Sequence, residues 1–167
     1  MSELTQERLK ELLSYDPETG LFSNLTRRGV RAPKGGVAGT KNHKGYIAIL
    51  IDKKIYLAHR LAWLYVYGEF PEKTIDHINE IKDDNRIINL RSVTNSENQQ
   101  NISSLKITNT SGFRGVSWNK KIKKWAATIS INGKSSHLGS FNTAEEASEV
   151  YLKAKRKFHT FWVEGKI

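Results

Sequence analysis

The chain has 167 residues, 38% of them hydrophobic, and a formal charge of +10, which allows one modest core or two small ones near the lower size limit of a domain. The charge is uneven, with 15 basic and 13 acidic residues in 1–101 against 12 and 4 in 102–167 (net +2 and +8), and such a surplus points at a polyanion. Cysteine is absent, which excludes disulfides and thiolate zinc sites, and no apolar run approaches the roughly 20 residues that span a bilayer, so a soluble, cytoplasmic protein without a membrane partner is expected.

Leu9, Leu12 and Leu13 fall at helical spacing, so residues 5–14 are predicted helical, stopped by the turn YDPETG at Tyr15–Gly20; GLFSNL then reads as a strand. The segment KGGVAGTKNHKG at Lys34–Gly45 reads as loop or hairpin, because glycine tolerates positive φ, and its glycines lack the spacing of a phosphate-binding loop. A basic run, Arg27, Arg28, Arg31, Lys34, Lys41 and Lys44, has no Asp or Glu between Glu18 and Asp52. YIAILID and KKIYLA flank a turn at Asp52–Lys53 and predict a hairpin, after which HRLAWLYVYG puts Leu57, Leu61 and Leu64 on one helical face and stops at Gly68.

Thr74–Asn101, TIDHINEIKDDNRIINLRSVTNSENQQN, concentrates one histidine and six asparagines where apolar residues are sparse. It reads as a strand to Ile75, a loop, a second strand at Ile88–Val93, and a helix opened by the capping-box pair Thr94 and Glu97, with Asn98 in its first turns. Residues 102–110 are polar and linker-like. Beyond them FRGVSW is a short strand, WAATISI alternates Trp125, Ala127, Ile129 and Ile131 onto one face, Asn132–Gly133 is a hairpin turn, and KSSHLG returns. Thr143 and Glu146 form another capping box, and Ala147, Tyr151, Ala154 and Phe158 make an apolar stripe expected to be core. The class is α+β, ending in a three-stranded antiparallel sheet packed on one helix.

Phosphodiester hydrolysis needs a base to deprotonate water and a cation to stabilise charge on the phosphate and leaving oxygen. Histidine suits the first task, and hard ions such as Mg2+ or Mn2+ prefer carboxylate, carbonyl and water oxygens. Asp76 and Asn98 are the candidate donors for one divalent cation, in a weak site completed by DNA phosphate and water. Neighbours on a strand point to opposite faces, so Asp76 and His77 can share a site only where the strand gives way to a loop. Asp83 and Asp84 read as loop-bracing acids and His59 as a packing residue; Arg60, Arg86 and Arg91 can serve acids or phosphate.

These residues carry a resemblance. Ala58–Asn101, with Asp-His-x-Asn, then Asp-Asn-Arg-x-x-Asn-Leu-Arg, then Glu-Asn-x-x-Asn, resembles the HNH endonucleases with the ββα-metal fold, in the form found in phage homing enzymes. The resemblance implies His77 as general base, Asp76 and Asn98 as metal ligands, and Asn89 as a brace of the loop that helps orient His77. Asn98 stands where many HNH enzymes have a second His, as in the phage branch, and argues against zinc. Ser111–Phe158, through Phe-Arg-Gly-Val, Lys-Trp-Ala-Ala, Leu-Gly-Ser-Phe and Thr-Ala-Glu-Glu-Ala, resembles the AP-two/ethylene-response-factor DNA-binding domain, whose sheet lies in the major groove. That implies DNA contact by Arg114, with Ser117, Trp118, Lys124, Thr128, Ser130 and His137 on or beside the reading face. Lys120, Lys121, Lys123 and Lys124 sit in a hairpin turn, and a turn overhanging the groove would place them on backbone phosphates.

The expected organisation is therefore an HNH nuclease domain with an N-terminal strand-rich extension (1–101), a linker (102–110) and a DNA-binding domain (111–160). The expected activity is homing-type, phage or prophage cleavage of double-stranded DNA in a bacterial or phage-infected cell, by a monomer, with dimerisation on DNA left open. A DNA-binding regulator with an inactive nuclease module is the alternative, and an RNA-binding protein a third reading.

Overall fold

In the computed structural model, which describes residues 3–102, 104–105, 107–131 and 133–162, the Thr5 hydroxyl accepts the Arg8 N–H at 3.2 Å and opens α1 (Gln6–Leu12). The helix is shorter than its leucine spacing predicts. Leu13 turns extended (φ −133°, ψ 141°) and begins β1 (Leu13–Tyr15), which pairs antiparallel with β2 (Phe22–Asn24). Leu13 and Tyr15 are both buried, a period of two that the core rewards over a further helical turn.

The glycine-rich segment supplies β3 (Thr40–Lys41) to a sheet ordered β3-β4-β5, with β4 at Ile47–Ile51 and β5 at Lys54–Leu57. Asp52 and Lys53, at φ 45° and 66°, make the tight turn between β4 and β5, since two consecutive left-handed residues match the strand twist. Then α2 (Ala58–Tyr67) buries Ala58, His59, Leu61, Ala62 and Leu64, and Gly68 caps it through its N–H to the Leu64 carbonyl. Ala58, Leu61, Ala62 and Leu64, with Leu9, Leu13, Phe22, Ile49 and Ile51, form the first core. A second small sheet pairs β6 (Thr74–His77) with β7 (Leu90–Val93). Its second strand starts later than expected because Ile87–Asn89 forms a 3-10 turn.

The chain divides into two compact units, 1–94 and 95–167. Helix α3 (Asn95–Asn101), expected to close the first module, belongs by its contacts to the second unit. There β8 (Val116–Asn119), β9 (Lys124–Ile131) and β10 (Lys134–Phe141) form an antiparallel sheet ordered β10-β9-β8, against which α4 (Ala144–Phe158) packs. The class is α+β, and beyond α3 the second unit is a three-stranded sheet packed on α4. Ile131 pairs with Lys134, so the β9–β10 connection is two residues long; Gly133 in it has φ 77°, and Asn132 lies outside the described residues.

The α4 capping box is complete: Glu146 N–H donates to the Thr143 hydroxyl at 3.2 Å, and the Glu146 carboxylate accepts the Thr143 N–H at 3.3 Å. Ala147 and Tyr151 are core, but the predicted stripe does not end as expected: Phe158 is 43% exposed and Lys155 only 3%. The buried line runs 147, 151, 155 in steps of four, and Lys155 reaches past it to set its ammonium 4.7 Å from the Trp162 ring centroid. Gly115, at φ 73°, is required for packing, since a Cβ there would lie 2.2 Å from the Tyr151 ring.

Candidate functional site

His77 is the last residue of β6, and Asp76 precedes it; both are buried. The strand ends there because the chain turns, with Glu80 N–H donating to the His77 carbonyl at 2.9 Å and Glu80 at φ 63°. Across the ladder Asp76 faces Arg91, whose Nε and Nη2 donate to Asp76 Oδ2 at 2.9 and 2.8 Å. Asn89 is buried and braces the loop between the strands. Its Oδ1 accepts the Asn79 N–H at 3.0 Å, its Nδ2 donates to Asn79 Oδ1 at 3.0 Å and to the Asp84 carbonyl at 2.9 Å, and its own carbonyl accepts the Ile78 N–H at 2.9 Å. The residue after His77 is thus fixed by the residue expected to orient it. Asp84 completes the brace, accepting Asn79 Nδ2 at 2.6 Å and the Arg86 guanidinium; those hydrogen bonds hold its carboxyl down at about 2.

The surroundings of His77 come from distant parts of the first unit. The His59 ring on α2 stands edge-on at 5.0 Å between centroids and 88°, and the Tyr46 ring lies 5.9 Å from His77 and 5.3 Å from His59. Burial in this box lowers the His77 pKa, while Asn85 and the nearby carboxylates of Asp76, Asp84 and Asp83 pull it back up. The imidazole is therefore neutral at physiological pH, the state a base requires. His59 is pushed down to about 3 by burial and by its His77 neighbour, so the two rings do not compete for a proton near neutrality. From the other side the Tyr15 hydroxyl donates to the Asn85 carbonyl at 2.7 Å. Gly20 (φ 74°) lets the Tyr15–Gly20 turn reach the same backbone, since a Cβ there would sit 2.4 Å from Arg86 N.

The donor chemistry beside His77 fits a hard divalent cation. Asp76 offers carboxylate oxygen, there is no thiolate, and no group of three His, Cys, Asp or Glu among the described residues could form a self-sufficient cage. An ion held by Asp76 needs amide, water or substrate oxygens to complete its shell. Asn98, the second expected donor, lies on α3 in the second unit.

In the second unit the register sorts the expected DNA contacts by face. Val116 pairs with Ala127, both in the core under α4, and Trp118 pairs with Trp125 two residues on, so Trp118 belongs to the helix side and not to the open face. Its ring meets Trp125 edge-on at 5.1 Å and is 42% exposed at the rim. The open face carries Ser117, Lys124, Thr128 and Ser130, with His137 directly opposite Thr128. Lys120, Lys121 and Lys123 are exposed in the β8–β9 turn. Arg114, expected at DNA, is engaged within its unit: its guanidinium donates to the Gln99 carbonyl at 3.1 Å and to that of Ile102, at the C-terminal end of α3, where helix carbonyls lack intrahelical donors. DNA contact by Arg114 would compete with these bonds.

Residues 56–100 match the HNH endonuclease family and residues 111–163 the AP2 domain. Protein 3.8 of Escherichia phage T7 is 32% identical over 111 residues, 64% of this chain and 90% of that protein. The chain belongs to the HNH endonuclease family. It is also similar to the solved structure of the HNH homing endonuclease I-HmuI, at 22% identity and a TM-score of 0.42, over 90% of this chain and 88% of the other. The HNH match takes in Asp76, His77, Asn89 and Asn98, and the AP2 domain makes DNA the expected partner of this family member.

Sequence reasoning missed Tyr46, Asn85, Tyr15 and Gly20 as supports of the HNH loop, and it assigned His59 to packing without placing it against His77. Asn85 lies in the Asp-Asn-Arg pattern, but nothing local to it, to Tyr46 or to the Tyr15–Gly20 turn says that they meet around this loop. Asn79 was within reach: Asn79, Asp84 and Asn89 all lie in the HNH pattern, and only a closed loop gives three such side chains a common purpose.

Proposed function

We propose that the chain is a homing-type endonuclease of phage or prophage that hydrolyses phosphodiester bonds of double-stranded DNA in the bacterial cytoplasm. One observation supports this above the others: a buried imidazole, held neutral, ends β6 beside a carboxylate, on a loop whose amides close it through Asn89. His77 takes the proton from the attacking water. Asp76 and Asn98 would hold one Mg2+ or Mn2+, and Asn89 keeps the loop closed so that His77 does not rotate away. When bound, the cation supplies positive charge to the scissile phosphate and the leaving oxygen. The second unit holds the duplex through the open sheet face, with Ser117, Thr128, Ser130 and His137 as hydrogen-bonding groups and Lys120, Lys121, Lys123 and Lys124 on phosphates.

Plasmid nicking with magnesium or manganese tests the reading. Wild-type protein is expected to cut, chelation to stop it, and His77→Ala to abolish cutting while duplex affinity stays within about threefold, a change below 1 kcal/mol. Wild-type protein that binds duplex and never cuts with either metal would sink the nuclease reading and leave the DNA-binding regulator.

A further inference from the structure

The turn between β3 and β4 lies against the HNH loop next to His77. It is rigid, because Asn42 Oδ1 accepts the N–H groups of Lys44 at 2.9 Å and Tyr46 at 3.1 Å. Two lysines join it to the loop. Lys41 Nζ meets Asp83 Oδ2 at 2.8 Å, and Lys82 Nζ donates to the Lys44 carbonyl at 3.1 Å while standing 5.2 Å from the centroid of Tyr46. That ring is the one packed beside His77 and His59.

The cations around this loop differ in what they face. Lys41 is held by Asp83, Arg86 by Asp84 and Arg91 by Asp76. Lys82 is exposed and, among the described residues, meets a ring and a carbonyl instead of a carboxylate. An ammonium has three donors, and one suffices for Lys44. The ring and the carbonyl orient the charge without neutralising it, one aromatic ring away from the imidazole. Lys44 adds a second exposed ammonium stem on the same turn. A carboxylate-free cation oriented at the lip of an anion-processing site is suited to a phosphodiester oxygen, and contacts of this kind set the register of a duplex.

We propose that Lys82, with Lys44 beside it, forms a phosphate-binding subsite next to His77 that takes one backbone phosphate of duplex DNA. The inference rests on the nuclease reading for its importance, but it is tested by binding alone. A labelled duplex is titrated at a series of salt concentrations with His77→Ala protein, so that cutting does not intervene, and with the same protein carrying Lys82→Gln or Lys82→Arg. Loss of one phosphate contact lowers the slope of log affinity against log salt by about 0.9. Lys82→Gln is expected to show that drop and a severalfold weaker affinity, and Lys82→Arg to restore the slope. In the cutting-competent protein Lys82→Gln is expected to raise KM by the same factor and leave kcat within about twofold. A salt slope unchanged in Lys82→Gln, with the far-ultraviolet spectrum and unfolding midpoint of the parent, would overturn the subsite and make Lys82 a loop tether only. If the slope falls while wild-type protein never cuts, the subsite stands and the nuclease reading fails.

Discussion

Substituting Asn89 by Ala removes a side chain that accepts the Asn79 N–H and donates to Asn79 Oδ1 and to the Asp84 carbonyl, at 2.9–3.0 Å. The backbone bond from Ile78 N–H to the Asn89 carbonyl survives. Each lost bond costs about 1 kcal/mol net, and more where a group is left buried without a partner, so opening of the loop becomes easier by about 2–4 kcal/mol. That is a large part of the roughly 5–15 kcal/mol that stabilises an ordinary domain. Amide hydrogen exchange reads the effect locally. The Asn79 amide is expected to lose protection by about thirtyfold or more, at roughly tenfold per 1.4 kcal/mol, and Ile78 by a smaller factor. Nicking is expected to fall in parallel, while duplex binding through the second unit is retained. Asn79 exchange within about twofold of wild type, below 0.5 kcal/mol, would refute the claim that Asn89 closes the loop.

His59 has a folded pKa near 3 against an ordinary value of 6.5; a buried neutral imidazole binds its proton more readily when unfolded, so stability is full above about pH 6.5 and falls toward pH 3 by up to about 1.4 kcal/mol per unit. Urea titrations across that window should show this slope, and His59→Phe should flatten it. Gly115→Ala places a methyl against the Tyr151 ring and the Thr128 carbonyl at positive φ and should destabilise the second unit by about 2–4 kcal/mol, measured by tryptophan fluorescence on heating. Thr143→Ala removes one half of the α4 capping box and should cost about 1 kcal/mol in the same assay.

Much of this protein is written locally. The Asp52–Lys53 hairpin, the Gly68 cap, the capping box at Thr143 and the alternation of β9 each follow from a few adjacent residues, because turns, caps and strand periodicity are decided within four or five positions of the chain. The Asn89 brace was expected from the resemblance of Ala58–Asn101 to HNH endonucleases, and its hydrogen bonds to Asn79 and Asp84 close a segment too poor in apolar residues to close by packing. Where local pattern and core competed, the core won. Leu13 leaves the leucine helix for a strand in which both it and Tyr15 are buried, and Lys155 displaces Phe158 from the buried line of α4.

The sequence by itself determined which groups are available to the proposed chemistry: an imidazole, oxygen donors without thiolates, and a basic C-terminal half. Tertiary structure alone decided their working state. His59 and Tyr46 reach His77 from α2 and from the edge of β4, and the neutral imidazole and the lysine at its lip depend on that approach. Desolvation and ring packing are set by which surfaces the core brings together, and no spacing along the chain encodes a neighbour that arrives from an element about twenty or thirty residues away.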